Sequence, residues 1–311
     1  MEIRGHKTHS QKDSKEPAEN YQPISLVPIV SKVLERCVFN CPYDHVNSLI
    51  TPVQHGFLRN RSCVTQLLSV LHTIDRNLHK NIQTDVIYLE FAKAFDTVDH
   101  NVLLSKLKAY GVSGQLLTWL ANYLSGRLQR VVIDSATSQL APVTSGVPQG
   151  SLLGPLLFII FINDLPDAAI CDVFTSLYAD DTKVYRNSNT IEDCMSMQKT
   201  QTNMDTWTQH NNIRFNAFKC KALTITRKKS PLNFIYKLDN VELERVSTEK
   251  DVGVNITNFL TWNTHIHAIT AKANKLLGLL KRASSLLNDV SARRSLYLAI
   301  VKSQLSHATQ V

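Results

Sequence analysis

The 311-residue sequence alternates stretches with apolar residues at helical spacing and short β-branched runs of strand length. The first nineteen residues show neither pattern, so we expect a polar arm without regular structure over residues 1–19. Pro155 opens an apolar helix, in the first-turn position that proline tolerates. The predicted helices are Ile29–Phe39, Cys63–Leu78, His100–Ala109, Ser113–Leu124, Pro155–Asn163, Ile191–His210 and those from His265 onward.

The short β-branched runs predict strands between these helices. Val86–Leu89 is a short buried strand, and Arg130–Ile133 with Leu140–Ser145 forms a hairpin around a polar middle. A further strand pair is centred on the adjacent acids Asp180 and Asp181. The later strands are Lys221–Thr226 and Val252–Ile256.

Charge is unevenly distributed along the chain, which carries a net charge of +8. Residues 219–311 hold fifteen Lys and Arg against six Asp and Glu, so the remainder is close to neutral. Such an asymmetry favours a C-terminal part that binds a polyanion such as nucleic acid. The charge count alone leaves an ordinary solvated basic surface as the alternative. The length allows two or three subdomains, each with its own core.

The six cysteines form no CxxC pair, which predicts free thiols in a reducing compartment. Cys37, Cys41 and His45 recur every four residues, a spacing compatible with zinc. Pro42 interrupts the predicted helix and a fourth ligand is lacking, so we favour buried thiols over a metal site. The longest apolar run, Leu152–Ile162, is too short to span a bilayer.

Adjacent carboxylates lie between strand-forming residues in SLYADDTKVY, residues 176–185. Asp180 and Asp181 repel each other there, so the turn costs stability unless a cation occupies it. A solvated acidic turn is the ordinary alternative. A second strand also ends at an acid, Glu90. Two such strands in one sheet could hold a pair of divalent ions, and Mg²⁺ prefers oxygen ligands of this kind. Two ions can stabilise both the attacking and the leaving oxygen of a phosphoryl displacement.

A glycine-rich loop precedes the apolar helix, in TSGVPQGSLLGP from Thr144. Gly146, Gly150 and Gly154 let the backbone approach a ligand closely, and Gln149 can both donate and accept hydrogen bonds. The spacing matches neither a P-loop nor a dinucleotide-binding fingerprint. From the residues alone, this is equally a tight loop before a core helix.

Six segments follow one another in an order that resembles the reverse transcriptases of non-LTR (LINE, jockey-like) retrotransposons. They are NYQPISLVPIVSKVLERC, QHGFLRNRSCVTQLL, YLEFAKAFDTVDH, SGVPQGSLLGPLLFIIFINDL, YADDTKVY and FNAFKCKALTITRKK. The resemblance implies an α+β, right-hand polymerase fold with helical fingers, an antiparallel-sheet palm and a helical thumb. It places the fingers at residues 20–84, the palm with inserted fingers elements at 85–256, and the thumb with the start of a truncated C-terminal region at 257–311.

The resemblance also implies roles for the acids and the aromatic residue that follows the first strand. Glu90, Asp180 and Asp181 match the palm carboxylates that hold two Mg²⁺, for which Mn²⁺ is a possible substitute. Asp180 resembles the more direct metal ligand. Phe95 matches the aromatic that crowds the sugar 2′ position and so favours deoxynucleotides.

Further roles follow for residues of the loops. Gln149, with Gly150 beside it, matches the loop that lies against the incoming nucleotide and template. Arg61 and Arg59 resemble the basic residues at the tip of the fingers that hold the triphosphate. Lys219 resembles the lysine proposed to protonate the departing pyrophosphate.

The segment from Thr264 predicts an amphipathic helix. Away from its apolar stripe lie Lys272, Lys275 and Arg282, which in a thumb would follow the phosphates of the template–primer duplex. The alternative is that these side chains only solvate the helix. The apolar stripe consists of Ile266, Ile269, Ala273, Leu277 and Leu280.

The sequence departs from the family pattern at Glu90, where the family has Asp, at Gln22, where it usually has Arg, and at Leu58, usually a basic residue. The apurinic-type endonuclease that normally precedes this domain is absent, and the final SQLSHATQV stops inside a family motif. We therefore expect a fragment or a decayed copy of an element.

The resemblance implies an RNA-directed DNA polymerase that extends a DNA primer on an RNA template with dNTPs. A catalytically dead, truncated relic that still binds nucleic acid is the alternative, and Glu90 is the residue that best separates the two. A two-metal nuclease is disfavoured, because it has no use for Phe95 or the Gln149 loop. We expect an intracellular ribonucleoprotein in the nucleus or cytoplasm, without membrane contact.

Overall fold

The computed structural model describes residues 2–7, 21–133, 136–285 and 287–311. The first part of the chain contains β1 (Glu2–Lys7), β2 (Tyr21–Leu26), α1 (Ile29–Val46), α2 (Cys63–His79), β3 (Thr84–Leu89), α3 (His100–Ala109) and α4 (Gly114–Leu124). The middle contains β4 (Leu128–Ile133), β5 (Ala136–Thr137), β6 (Ala141–Pro142), α5 (Leu153–Phe161), β7 (Phe174–Tyr178), β8 (Asp181–Asn187) and α6 (Ile191–His210).

The last part of the chain begins with short strands and ends with helices. Its strands are β9 (Lys221–Ile225), β10 (Lys237–Leu238), β11 (Val241–Glu242), β12 (Glu244–Val246), β13 (Thr248–Asp251) and β14 (Val254–Thr257). Its helices are α7 (Asn263–Ala283), α8 (Val290–Leu296) and α9 (Ser303–Leu305), with a π-helical segment Tyr297–Lys302 between the last two. Short 3-10 helices span Ala94–Asp96 and Leu165–Ala168.

The central sheet has five strands in the order β12-β9-β3-β8-β7. All neighbours are antiparallel except β12, which runs parallel to β9, so the antiparallel sheet expected for the palm is mixed at one edge. The register pairs Leu89 with Thr182, which brings the end of β3 beside the start of β8. The two acid-bearing strand ends predicted from the sequence therefore meet at one edge of the sheet.

Apolar clusters cover both faces of this sheet. On β3, Ile87 and Leu89 point to the cluster that contains α5, whereas Val86 packs on the α2 side, as alternation along a strand requires. Helix α5 is apolar throughout and almost completely buried. The strand that ends beside Glu90 is thus packed on both faces.

A buried carboxylate, Asp85, lies at the other end of β3 and is 1% exposed. It accepts hydrogen bonds from the Tyr236 hydroxyl at 2.6 Å, Thr224 Oγ1 at 2.7 Å and Gln83 Nε2 at 3.2 Å. The Arg245 guanidinium lies 3.9 Å from it. A buried charge is tolerated only when it is paired and hydrogen-bonded in this way.

Helix α1 runs to Val46, so the prediction that Pro42 ends it was wrong. A proline inside a helix costs about 3 kcal/mol. Here the last turn buries Tyr43 and Val46, and burying a large apolar side chain contributes about 1.5–3 kcal/mol. Core packing therefore offsets the lost backbone hydrogen bond.

The thiols on α1 are exposed rather than buried, which corrects a second expectation for this helix. Cys37 and Cys41 lie on its solvent side, because α1 packs through the face that carries Tyr43 and Val46. His45 Nε2 lies 2.8 Å from the carbonyl oxygen of Tyr110. Across the described ranges no group of three His, Cys, Asp or Glu residues could hold a metal ion.

Most other predicted elements are confirmed to within two residues, including α2, α3, α4 and α6. The hairpin is confirmed as well, although its returning arm is limited to β5 and β6, which pair with β4. At the N-terminus, residues 2–7 form a strand that pairs with β2 and β4, where we expected no regular structure. Backbone pairing needs no hydrophobic periodicity, which explains the difference. The rest of the predicted arm, residues 8–19, lies outside the described residues.

The last two strands, β13 and β14, form an antiparallel hairpin, which we call the 248–257 hairpin. Of these strands, the sequence predicted only Val252–Ile256. Helix α7 follows, but its apolar stripe is only partly covered, since Ile266 is 51% exposed and Ala273 is 4% exposed. The assignment of residue ranges to fingers, palm and thumb stays a prediction. Within the described residues, no helix is both long and apolar enough to cross a membrane.

Candidate active site

The acidic turn, Tyr178–Asp181, connects β7 to β8 at the edge of the central sheet. Tyr178 pairs with Asp181, so Ala179 and Asp180 form the tip, and Ala179 adopts a left-handed conformation with φ of 55°. The hairpin predicted around the two aspartates is confirmed. A strained tip persists only where neighbouring structure holds it.

That support comes from residues 53–56, and above all from Gln54, which is 1% exposed. Gln54 Oε1 accepts hydrogen bonds from the backbone N–H of Ala179 at 3.0 Å and of Gly56 at 2.7 Å. The same segment forms two backbone hydrogen bonds with Leu177. The Leu177 N–H donates to the Val53 carbonyl at 2.9 Å, and the Leu177 carbonyl accepts from the His55 N–H at 2.9 Å. The sequence analysis includes this loop in the segment QHGFLRNRSCVTQLL. Only the long-range contact of Gln54 with Ala179 reveals that the loop supports the acidic turn.

Gly56 packs directly against the tip of the acidic turn. A Cβ atom at this position would lie 2.3 Å from the backbone nitrogen of Ala179. The HGF sequence therefore requires glycine for close backbone approach, not for a positive φ.

Glu90 follows the last residue of β3, and its side chain turns toward Lys219. Lys219 Nζ donates to Glu90 Oε1 at 2.5 Å. The Glu90 carbonyl accepts from the Asn216 N–H at 2.7 Å, which holds the lysine-bearing turn beside the strand. The structure thus joins two predicted catalytic residues in an ion pair. With side chains 60% and 44% exposed, such a pair contributes only about 0–1 kcal/mol to stability.

Negative charge accumulates around the acidic turn. Burial and then the Glu90 charge raise the pKa of Asp180 above its ordinary value. Burial, followed by the charges of Asp180 and Asp251, raises the pKa of Asp181 to about 6. Repulsion by Asp180 and Asp251 thus adds to the effect of burial on the Asp181 carboxyl. This repulsion is the part that a bound cation would relieve.

The donor set suits a hard divalent cation, since it consists of carboxylate oxygens. Asp180 and Asp181 are adjacent, and Glu90 is close enough to raise the pKa of both. The three carboxylates do not yet form a single ligand cluster in the described part of the chain, because Glu90 is bonded to Lys219. The three residue types therefore suit a divalent ion, but the Glu90 carboxylate is paired with Lys219.

Phe95 lies between two aromatic rings, one of which, Phe57, follows Gly56 in the loop beside the acidic turn. It stacks on Phe158 with ring centroids 4.5 Å apart and meets Phe57 edge-on at 6.3 Å. Phe57 is 53% exposed, so one side of this aromatic group is open. Phe95 is partly buried, as expected both for core packing and for a ring that borders a nucleotide.

The glycine loop, residues 144–154, packs against the segment that carries Phe95. The Val147 N–H donates to the Phe95 carbonyl and the Gly146 N–H to the Val98 carbonyl, both at 2.8 Å. Gly146 has a φ of 83°, and a Cβ there would lie 2.7 Å from the carbonyl oxygen of Asp96. The structure therefore brings the predicted sugar-side aromatic and the Gln149 loop together.

Gln149 is fixed through its backbone and free at its side chain. Its carbonyl accepts from the Ser25 N–H at 2.9 Å, while its buried Oε1 has no hydrogen-bond partner among the described residues. This side chain and the loop border a cavity of about 300 Å³ that also includes Lys93 and Arg127. Gly150, next in sequence, is exposed and has a φ of 103°.

The two arginines predicted at the fingertip are engaged with the protein. Arg61 Nη1 donates to the backbone carbonyls of Gln54 and Pro52, the latter at 2.7 Å. The Arg59 side chain packs against α1, with its guanidinium 4.6 Å from the centroid of the Tyr43 ring and 3.6 Å from Asp44. Arg61 thus supports the loop that holds the acidic turn, and contact of either arginine with triphosphate stays a prediction.

The basic residues predicted on the thumb, Lys272, Lys275 and Arg282, are exposed on α7. None of them forms an ion pair with a carboxylate of the described residues. Their charges are therefore available to a polyanion, although no contact joins α7 to the acidic turn in the part of the chain described.

Comparison with known proteins agrees with this arrangement. The family described as reverse transcriptase (RNA-dependent DNA polymerase) matches residues 10–273. The RNA-directed DNA polymerase from mobile element jockey of Drosophila funebris is 30% identical over 315 residues, covering 96% of this chain and 34% of that protein. Its Drosophila melanogaster counterpart is 28% identical over 306 residues, covering 94% and 33%. The chain thus spans about a third of the length of these relatives.

A solved structure shows the same fold. Apo telomerase from Candida tropicalis, truncated from its C-terminal domain, superposes with a TM-score of 0.50 at 12% identity, covering 78% of this chain and 52% of that one. The α+β, right-hand polymerase fold expected from the sequence is confirmed. Since the family match includes the acidic turn, the glycine loop and Phe95, the chain belongs to the reverse transcriptase family and is a domain of the non-LTR retrotransposon type.

Proposed function

We propose that this domain catalyses RNA-directed DNA synthesis, adding deoxynucleotides to the 3′-OH of a DNA primer on an RNA template. One observation carries the proposal: two neighbouring strands of the central sheet bring Glu90 and the acidic turn to the same edge. The aromatic group around Phe95 packs against the glycine loop, and its Phe57 follows Gly56, which contacts the acidic turn.

Asp180 and Asp181 would hold two Mg²⁺ ions, or Mn²⁺ in their place, with Glu90 as the third ligand once it leaves Lys219. The ions, when bound, activate the 3′-OH and stabilise the charge that develops on the phosphate. Family membership implies the use of a divalent metal. The number of ions and this ligand set belong to the proposal.

The protein's own side chains then orient the reactants. Phe95, fixed by its stack on Phe158, would crowd the 2′ position of the incoming sugar. Gln149 would offer its unpartnered Oε1 to the nucleotide or template. Lys219 Nζ would donate a proton to the departing pyrophosphate, for which it must first release the Glu90 carboxylate.

The extra methylene of Glu90 weakens this activity without abolishing it. The longer side chain places its carboxylate differently from that of Asp, and it ends in an ion pair with Lys219. A displacement of about 1 Å can cost on the order of 10²-fold in rate, or about 2.7 kcal/mol of barrier.

The same ion pair favours a second candidate function. If the Glu90 carboxylate stays neutralised by Lys219, the domain binds template and primer without catalysis, as a relic of an active element. The exposed basic side chains on α7 would support such binding.

A primer-extension assay separates the two candidates. Purified protein is incubated with an RNA template, a DNA primer, dNTPs and Mg²⁺, beside Glu90→Asp and Asp180→Asn. We expect extension that requires Mg²⁺ or Mn²⁺, disappears in Asp180→Asn, and rises by about 10-fold or more in Glu90→Asp. Absence of extension in both the parent protein and Glu90→Asp, with duplex binding intact, would establish the relic.

The cellular setting follows from the same proposal. A polymerase that copies RNA works beside its template, so we place the protein in an intracellular ribonucleoprotein of the nucleus or cytoplasm. The free cysteines, two of them buried, agree with a reducing compartment. Fractionation of expressing cells followed by RNA recovery from the precipitated protein would test this placement.

A further inference from the structure

A buried ion pair lies directly beside the acidic turn. Lys183 Nζ donates to Asp251 Oδ1 and, at 3.0 Å, to Gln66 Oε1. The side chains of Lys183 and Asp251 are only 1% and 4% exposed. Dehydrating two charges is unfavourable, and apolar residues of similar volume often stabilise a fold equally well. A function in positioning therefore needs to be considered for this pair.

The pair connects the catalytic strand with the 248–257 hairpin. Lys183 lies two residues after Asp181 on β8, so both side chains belong to the same face of the strand. Asp251 is the last residue of β13, immediately before the hairpin turn at Val252 and Gly253. The ion pair consequently joins the tip of the hairpin to a position next to the catalytic carboxylates.

At the hairpin tip, His307 Nε2 also lies 3.2 Å from the Val252 carbonyl oxygen. Further contacts hold the second strand. Val254 and Ile256 pack into the apolar cluster on the α2 side, and the Asn258 carbonyl accepts from the Thr226 N–H at 3.1 Å. Apolar contacts are non-directional. The ion pair, by contrast, has one geometry, so it fixes the hairpin tip where packing alone would permit small shifts.

A cavity of about 80 Å³ separates the hairpin from the catalytic edge. Glu90 and Asp181 border it on one side, and Asp251 and Val252 border it on the other. Thr182, 2% exposed, also lines the cavity, and its Oγ1 has no partner among the described residues. The distance between hairpin and carboxylates sets the width of this space.

We propose that Lys183 and Asp251 are positioning residues for the polymerase reaction, whose ion pair fixes the hairpin wall of the cavity that Asp181 and Glu90 border. The inference rests on the proposed function, because it assigns the cavity to that site. Neither residue touches the reacting atoms. Their effect is transmitted through the position of the hairpin.

Two changes test the pair without leaving a buried charge unpaired. Lys183→Met with Asp251→Leu removes both charges, and Asp251→Glu keeps the charges but lengthens the link by a methylene. The matched control is Lys106→Met with Asp164→Leu, a partly buried pair with a 2.6 Å contact between α3 and the end of α5. Thermal unfolding, hydrogen exchange of residues 248–257, kcat, and separate KM values for primer–template and dNTP are measured for each.

We expect the apolar pair to fold and to lose about 10-fold or more in kcat for primer extension, with both KM values nearly unchanged, because the wall beside Asp181 is no longer fixed. Asp251→Glu should lose on the order of 10²-fold in kcat, because it displaces the tip by about an ångström. The control should keep the activity of the parent protein. A role in stability alone would lower kcat only in proportion to the unfolded fraction that thermal unfolding shows.

Parent-like kinetics in both Asp251 variants would overturn the inference, and Asp251→Glu decides alone if the apolar pair does not fold. If neither the parent protein nor Glu90→Asp extends a primer, the proposed function fails, and hydrogen exchange then decides. Faster exchange confined to residues 248–257 in the apolar pair supports the positional link. Unchanged exchange there refutes it.

Discussion

Gly56→Ala tests whether the loop of residues 53–56 fixes the acidic turn. The added Cβ would lie 2.3 Å from the Ala179 nitrogen and 3.0 Å from its Cα, where ordinary contacts begin at 3.4 Å. The atoms it meets are backbone, and the Gly56 N–H is itself held by Gln54 at 2.7 Å. The loop and the turn must therefore separate by about 1 Å.

The size of the effect follows from this displacement. Moving a catalytic carboxylate by about 1 Å costs on the order of 10²-fold in rate, equivalent to about 2.7 kcal/mol of barrier. We expect Gly56→Ala to lower kcat in primer extension by that factor. The experiment is run in the Glu90→Asp background if the parent activity is low.

The control for this change is Gly278→Ala on α7, where a Cβ would lie 3.7 Å from Arg282 Nη1, an ordinary contact distance. It should leave kcat unchanged and stabilise the helix by roughly 0.5–1 kcal/mol. Thermal unfolding shows whether the Gly56 variant is folded at the assay temperature. A folded Gly56→Ala protein with a rate within about threefold of its parent would refute the reasoning, because a displacement of about 1 Å should cost far more.

Three further predictions concern the sugar, the charge and the duplex. Phe95→Val should raise the ratio of ribonucleotide to deoxynucleotide incorporation, since it removes the ring stacked on its neighbour; an unchanged ratio would show that the ring only packs. Because the pKa of Asp181 is raised from 3.8 to about 6, its ionisation lowers the stability of the fold as the pH rises between these values, and the loss is complete above about pH 6. Asp181→Asn should therefore increase the free energy of unfolding in urea at pH 7.5 without metal, and an equal increase at pH 3.5 would contradict this origin. Replacing Lys272, Lys275 and Arg282 by Ala should flatten the salt dependence of duplex binding by up to about 0.9 log units per lost phosphate contact; an unchanged slope would exclude α7 as a contact.

Local signals carried most of the fold prediction. Helix α6 has a capping box at Thr190 and Asp193, and α3 begins after the Asp99 cap, so both boundaries are encoded within a few residues. The meeting of the two acid-bearing strand ends followed from the order of the motifs. Packing over longer distances is not visible in the sequence. The continuation of α1 through Pro42 was therefore not predicted.

The contacts within the site were the least predictable part. Glu90 and Lys219 are 129 positions apart, and each was assigned a separate role, yet they bind each other. Gln54 lies 125 positions from Ala179, and nothing near it in the sequence indicates that it holds the acidic turn. Residue type suggested the chemistry of these side chains, whereas their partners depended on the tertiary fold.

The buried Asp85 gives β3 a fixed point at the end remote from the reaction. A slip of one residue would break its bonds to Tyr236 and Thr224 and turn every side chain of the strand to the opposite face. Five residue steps, about 17 Å of strand, separate it from Glu90. The polar network at Asp85 thus sets the register of β3 and with it the position of Glu90. A substitution at Tyr236 would misalign the carboxylates although this residue lies far from them.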